Sequence, residues 1–187
     1  MKNCDALVIG GSAGSLDVLI KVLPAISLNI SFPIVIVVHR KQGSDSLLTH
    51  LLASKTKLKV KEVEEKENVL PKTIYIAPSD YHLLIEHDRT FSLDYSEKVN
   101  YSRPAIDVTF QSAAEVYKDK LVCLLLSGSN ADGVNGLIAA KAYGAEIAVQ
   151  DPSTAQVEYM PSQAILKADV SFILKIDEMA DYINSLS

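Results

Sequence analysis

Tryptophan is absent from the 187 residues, and the only cysteines, Cys4 and Cys123, stand far apart with no paired-thiol spacing. That excludes a disulfide framework and a zinc knuckle, and it leaves both thiols as small apolar residues in or beside core strands. Basic residues are outnumbered, 18 Lys and Arg against 23 Asp and Glu, for a formal net charge of −5, and no long Lys/Arg run occurs. Such a chain has no electrostatic hold on a phosphate backbone or an anionic bilayer, so no nucleic-acid partner is expected. No uncharged apolar run approaches the roughly 18 residues of a membrane span. Asp5 interrupts what would have to be the apolar part of a signal peptide. The expected location is the cytoplasm, without membrane insertion.

The glycine patterns of nucleotide-binding folds are also missing. A G-x-G-x-x-G read from Gly10 meets Ser12 and Ser15, and read from Gly11 it meets Ala13 and Leu16. His39-Arg40 stands where a ribose-binding acid would follow the second strand, and no G-K-[ST] occurs. No cofactor and no metal is expected.

What is present is an ordinary globular composition, 48% hydrophobic and 22% charged, which reads as one domain over residues 1–187. Ala6 to Ile9 is a short continuous apolar run, the mark of a strand buried on both faces, and it ends in Gly10-Gly11-Ser12-Ala13-Gly14. Leu16, Leu19, Ile20 and Leu23 follow at helical spacing up to Pro24, and Phe32 to Val38 is a second buried run ending at His39-Arg40. The alternation continues. Ser44 or Asp45 can cap a helix to about Ala53, Leu58 to Val63 and Thr73 to Ile76 read as strands, and Leu83–Ile85 with Phe91–Leu93 read as an antiparallel hairpin. A helix from Pro104 to about Tyr117 leads to a third buried strand, Leu121 to Leu126, and a second glycine-bearing turn, Ser127 to Gly133. The remaining pattern is a helix to about Tyr143, a strand Glu146–Val149, a helix from Pro161 to about Lys167, a strand Ser171–Leu174 and a last helix capped by Asp177. This order predicts an α/β fold: a doubly wound, mostly parallel sheet with helices on both faces and an antiparallel β-hairpin insertion.

In such sheets ligands bind beyond the carboxyl ends of the strands. Three strand ends carry chemistry: Ser12 within a G-x-S-x-G turn, His39, and Asp132. A serine needs a base to take its proton, and an imidazole does this well when a carboxylate fixes its tautomer and stabilises the imidazolium. Singly, each residue also has a structural explanation: a βα turn, a core histidine, a helix cap. Together they point to a Ser-His-Asp hydrolase whose chain order differs from that of α/β-hydrolases, chymotrypsin-like and subtilisin-like enzymes.

From about Leu7 to Leu174 the chain also resembles a known family, the catalytic domain of the chemotaxis protein-glutamate methylesterases (CheB-like). Ile9 to Gly14 resembles its nucleophile turn, Val37-Val38-His39 its histidine strand end, and Tyr75 to Leu84 its hairpin entry. Ser102 to Val108 resembles its Arg-Pro helix start, Leu126 to Leu137 its aspartate turn, and Ala148 to Pro152 with Met160-Pro161 complete the series. The resemblance implies a serine hydrolase that removes methyl esters from glutamyl side chains on methyl-accepting receptor helices, and often deamidates glutamine there. It implies Ser12 as nucleophile, His39 as general base and acid and Asp132 as its orienting carboxylate, with oxyanion or substrate-binding contributions at Ala13 and Ser129; the charge of Arg103 suits equally a substrate-binding contact to an acidic surface and a pairing with the core of the domain itself. Departures from the family pattern are Ala13 for threonine, Ser15 in a glycine pair, Arg40 and Ser129 for methionines, and Ser102 for histidine. Two other readings remain open: a non-catalytic docking module of the same fold, and an acyl hydrolase or deamidase acting on another protein. Because the first strand begins at about Asp5, no N-terminal receiver domain is expected, which leaves control by a receiver in trans as one route of regulation.

Overall fold

The computed structural model describes residues 4–40 and 45–187. Seven strands form one parallel sheet: β1 (Ala6–Gly11), β2 (Ile34–Val38), β3 (Lys59–Glu62), β4 (Thr73–Ile76), β7 (Leu121–Leu125), β8 (Glu146–Gln150) and β9 (Phe172–Leu174). Their spatial order is β3-β4-β2-β1-β7-β8-β9, and every pairing is parallel. The two remaining strands, β5 (His82–Ile85) and β6 (Phe91–Asp94), pair antiparallel as the expected hairpin. The helices are α1 (Ser15–Val22), α2 (Asp45–Ala53), α3 (Ile106–Tyr117), α4 (Val134–Ala142), α5 (Tyr159–Lys167) and α6 (Ile176–Asn184). Among the described residues no helix is long and apolar enough to cross a membrane.

The continuous apolar runs of the central strands are explained by their two buried faces. Leu7, Ile9, Ile34, Ile36, Val122 and Leu124 point to one side, where Val18 and Leu19 of α1, Leu52 of α2 and Met179 and Ile183 of α6 cover them. Their alternates Ala6, Val8, Val35, Val37, Cys123 and Leu125 point to the other side, against Phe110 of α3, Leu137 of α4 and Ala164 of α5. The hairpin packs on this second side through Leu83, Ile85 and Phe91, with Phe91 edge-on to Tyr75 at 4.8 Å. Cys4 and Cys123 are both buried free thiols.

Several element ends differ from the sequence expectation, each for a local reason. The inward stripe of α1 is Val18, Leu19 and Val22, whereas Leu16 is 37% exposed and lines a cleft. Helix α3 begins at Ile106, not Pro104, because Ala105 is extended (φ −104°, ψ 135°) and the first helical N–H groups are turned onto Asp132. Helix α5 starts two residues before Pro161, which sits in the first turn where no intrahelical N–H is needed. The last helix is capped at Lys175, whose N–H is accepted by the Glu178 carboxylate at 2.9 Å, and Asp177 lies inside its first turn. The expected cap at Ser44 or Asp45 lies outside the described residues and side chains.

Sheet order matters most for the site. From β1 the chain winds outward through β2 and then, after the hairpin and α3, returns to the other side of β1 as β7. The reversal at β1 opens a crevice beyond its carboxyl end.

Candidate active site

Ser12 and His39 are the residues immediately beyond a register-matched pair, Gly11 of β1 and Val38 of β2. The alignment continues one step past the strands, where His39 N–H donates to Gly11 O at 3.2 Å. On the other flank of β1, Ser12 N–H donates to Ser127 O at 2.9 Å, beyond the end of β7. The turn carrying Ser12 is tight. Ser15 N–H and Ser15 Oγ both donate to Ser12 O, at 3.0 and 2.6 Å, and Gly14 takes φ +83°, a conformation that disfavours a side chain. Ser15, a departure from the family pattern, therefore closes this turn through its hydroxyl.

Behind the turn, Ser127 Oγ donates to Ala13 O at 2.7 Å, and Ser127 N–H donates to Gln150 Oε1 at 2.9 Å. The backbone N–H groups of Ala13 and Ser129 have no partner among the described residues. They remain available as donors to a ligand oxygen.

His39 Nε2 and Asp132 Oδ2 are 2.6 Å apart, with the histidine side chain 13% exposed and the aspartate side chain fully buried. Asp132 Oδ2 also accepts from Ile106 N–H at 2.7 Å. Its Oδ1 accepts from Asp107 N–H at 3.1 Å and from Asn100 Nδ2 at 2.9 Å. The carboxylate thus sits on the first turn of α3, where unpaired amides and the helix dipole favour an anion. Burial alone would push its pKa up. The hydrogen bonds from His39, Ile106, Asp107 and Asn100 outweigh that and hold the carboxyl below the usual aspartate value. Close packing makes this approach possible: Gly10 on β1 leaves no room for a Cβ, which would collide with Ile106 of α3.

A carboxylate only accepts, so the paired imidazole nitrogen, Nε2, carries a proton toward Asp132. Nδ1 is then the nitrogen left to receive one. Ser12 and His39 open together onto an apolar cleft of about 220 Å³ walled by Leu16, Leu19, Leu47 and Leu48. The Ser12 hydroxyl is half-buried and has no hydrogen-bond partner among the described residues. On its other side His39 borders a more polar cleft of about 450 Å³, with Arg40, Lys98, Tyr101 and Arg103 on its walls.

Arg103 is largely committed within the fold. Its guanidinium donates to Asp80 Oδ1 at 2.7 and 3.2 Å and to Ser96 O at 2.7 Å, and it stacks 3.8 Å from the Tyr95 ring centroid. Arg40 similarly ties the end of β2 to Glu62 of β3, at 3.1 Å, and to Ala77 O. His82 is buried and structural, with Nε2 donating to Glu97 O at 2.9 Å and Nδ1 accepting Ala105 N–H at 3.2 Å. His50 and His87 are exposed and line neither cleft. Among the described residues no group of His, Cys, Asp and Glu is arranged to hold a metal. Asn100, Asp107, Ser127 and Gln150 were not identified from sequence as parts of the site.

Comparison with known proteins agrees with this architecture. The family model described as CheB methylesterase matches residues 7–183. A Leptospira interrogans protein, described as a candidate protein-glutamate methylesterase/protein-glutamine glutaminase, is 44% identical over 179 residues, which span 96% of this chain and 93% of that protein. A Thermotoga maritima protein-glutamate methylesterase/protein-glutamine glutaminase is 37% identical over 171 residues, 90% of this chain but 50% of the longer protein. The crystal structure of the Thermotoga maritima CheB methylesterase catalytic domain superposes with a TM-score of 0.95 at 34% identity, covering 99% of this chain and 100% of that one. The chain belongs to the CheB methylesterase family, and its fold is that of the family's catalytic domain.

Proposed function

We propose that this protein hydrolyses γ-glutamyl methyl esters on the helices of methyl-accepting chemotaxis receptors, with Ser12 as nucleophile, His39 as general base and acid, and Asp132 as the group that orients His39. The observation that carries the reading is the 2.6 Å His39–Asp132 contact at the end of β2, with Ser12 at the matching position on β1. His39 Nδ1 takes the Ser12 proton as Oγ attacks the ester carbonyl. The oxyanion draws on the N–H groups of Ala13 and Ser129, which have no partner among the described residues. On collapse, His39 returns the proton to the leaving methoxide, giving methanol and a glutamyl-Ser12 ester. Water, deprotonated by His39, attacks that ester and releases the glutamate carboxylate and free Ser12.

A second activity uses the same steps. With a glutamine amide the leaving group takes the His39 proton as ammonia, and the same acyl-enzyme is hydrolysed. The glutaminase half of the relatives' descriptions motivates it. Methanol release from methylated receptor, and ammonia release from receptor with glutamine at the same sites, test the two activities. A wild-type protein that releases neither, and whose Ser12 does not react with a fluorophosphonate probe, is a docking module instead. Reaction with the probe but no turnover of receptor points to an acyl hydrolase or deamidase acting on another protein.

A further inference from the structure

Asn100 lies outside the Ser-His-Asp set, yet one side-chain nitrogen joins two carboxylates. Its Nδ2 donates to Asp132 Oδ1 at 2.9 Å and to Asp107 Oδ2 at 2.8 Å. The direction of these bonds is fixed by chemistry: ionised carboxylates only accept, so the amide nitrogen, not its oxygen, must face them. The backbone is arranged to deliver it. Val99 and Ser102 exchange both backbone hydrogen bonds, at 3.1 and 2.9 Å, and the two residues between them, Asn100 and Tyr101, have φ +52° and +61°. That is a two-residue turn requiring positive φ, for which asparagine is among the best non-glycine residues. Asn100 therefore reaches in from an exposed turn to cover two carboxylates that are otherwise buried.

The carboxylates need such a partner. Asp107 Oδ1 accepts from Gly136 N–H at 2.6 Å, Gly133 N–H also favours the ionised carboxyl, and Asn100 donates to its Oδ2. Burial, and secondarily the nearby charge of Asp132, push the Asp107 carboxyl up, while Asn100 is among the groups that oppose this. The other titratable group on Asp132 is His39. Arg40, Asp80, Lys98, Tyr101 and Arg103 line the polar cleft that His39 borders, with Arg40 paired to Glu62 and Arg103 to Asp80.

We propose that Asn100 is a positioning residue for the Ser12–His39–Asp132 reaction: by giving one N–H to each carboxylate it keeps Asp132 ionised, turned toward His39 and separate from Asp107. Without it the two acids face each other unbridged, and a proton is captured by the pair at a higher pH. Once protonated, Asp132 no longer holds Nε2–H, and His39 loses its orientation. The inference rests on the serine-esterase reading, so its test carries a readout that separates the two.

Asn100→Ala and Asn100→Asp are compared with wild type in steady-state methanol release across pH, in fluorophosphonate labelling across pH, and in thermal melting. Aspartate suits the same turn but offers no N–H when ionised, so it tests the donor even where the alanine variant unfolds. The expected result for a folded variant is a fall in kcat of about tenfold or more, KM within about twofold, and an acidic limb moved to higher pH in both assays, furthest for Asn100→Asp. An unmoved acidic limb overturns the proposal, whether kcat is unchanged or falls together with the melting temperature. Absence of labelling and methanol release in wild type removes the esterase reading itself, an outcome distinct from both.

Discussion

Asp132→Asn is the most demanding single perturbation of the proposed mechanism. Asp132 Oδ2 faces Ile106 N–H at 2.7 Å and the His39 Nε2 proton at 2.6 Å, while Oδ1 faces Asp107 N–H at 3.1 Å and Asn100 Nδ2 at 2.9 Å. An asparagine has one acceptor oxygen for these two pairs of donors, so its NH₂ must oppose one pair. The pair containing His39 can yield, because the imidazole can move its proton to Nδ1 and accept at Nε2. Nδ1 is then occupied and cannot take the Ser12 proton. The expected loss in kcat is about 10³- to 10⁴-fold, equivalent to roughly 4–5.5 kcal/mol of transition-state stabilisation. Stability falls as well, by about 1–3 kcal/mol at neutral pH, because a buried donor loses its acceptor. That difference has a defined pH dependence. The Asp132 carboxyl is held below its ordinary value of 3.8, so it stabilises wild type above that pH and ceases to do so as pH falls through the depressed value. The stability gap between wild type and Asp132→Asn therefore narrows in strong acid. Methanol-release kinetics, fluorophosphonate labelling and melts from neutral to acidic pH measure all of this. A folded Asp132→Asn enzyme retaining more than about a tenth of wild-type kcat would refute the tautomer argument.

Three further outcomes are expected. Ser12→Ala abolishes probe labelling and methanol release while changing stability by less than about 0.5 kcal/mol, since the lost hydroxyl has no hydrogen-bond partner among the described residues; chemical denaturation and labelling report the two effects separately. Gly14→Val places a β-branched residue at φ +83°, with its Cβ 2.7 Å from both Gln156 Cβ and Ser127 Oγ. It should cost about 1–3 kcal/mol or more in a urea melt and slow labelling of Ser12. His82→Phe leaves Ala105 N–H and Glu97 O without their imidazole partner. It should lower stability by about 1–3 kcal/mol, with the remaining folded enzyme labelled at close to the wild-type rate.

The strands could be read from sequence because each central one is buried on both faces, which forces continuous runs such as Ile34 to Val38. Placing Ser12, His39 and Asp132 at strand ends followed from those runs, since a parallel sheet gathers its carboxyl ends along one edge. Helix starts were less legible because tertiary partners set them: the first turn of α3 is satisfied by Asp132, 26 residues away from Ile106. Arg103 showed the same limit. Its charge suited a ligand and an internal partner equally, because its partners Asp80 and Ser96 come from separate loops that no periodicity brings together. Asn100 was hidden for a related reason. A turn residue carries no burial signature, and its function depends on two carboxylates that only the folded chain puts side by side.

On the proposed assignment, the reversal of the sheet at β1 also sets the order in which the active site is completed. Ser12 and His39 lie just beyond strands that a βαβ unit joins early in the chain, whereas the carboxylate that completes the set lies 93 residues beyond His39 and arrives only when β7 docks on the opposite flank of β1. A growing chain that has exposed its nucleophile and its base therefore has no oriented base until this long-range closure is made, which is a slow class of folding event. On the proposed assignment, hydrolysis begins only after the central sheet has been sealed, and partly folded molecules carry a serine no more reactive than any other.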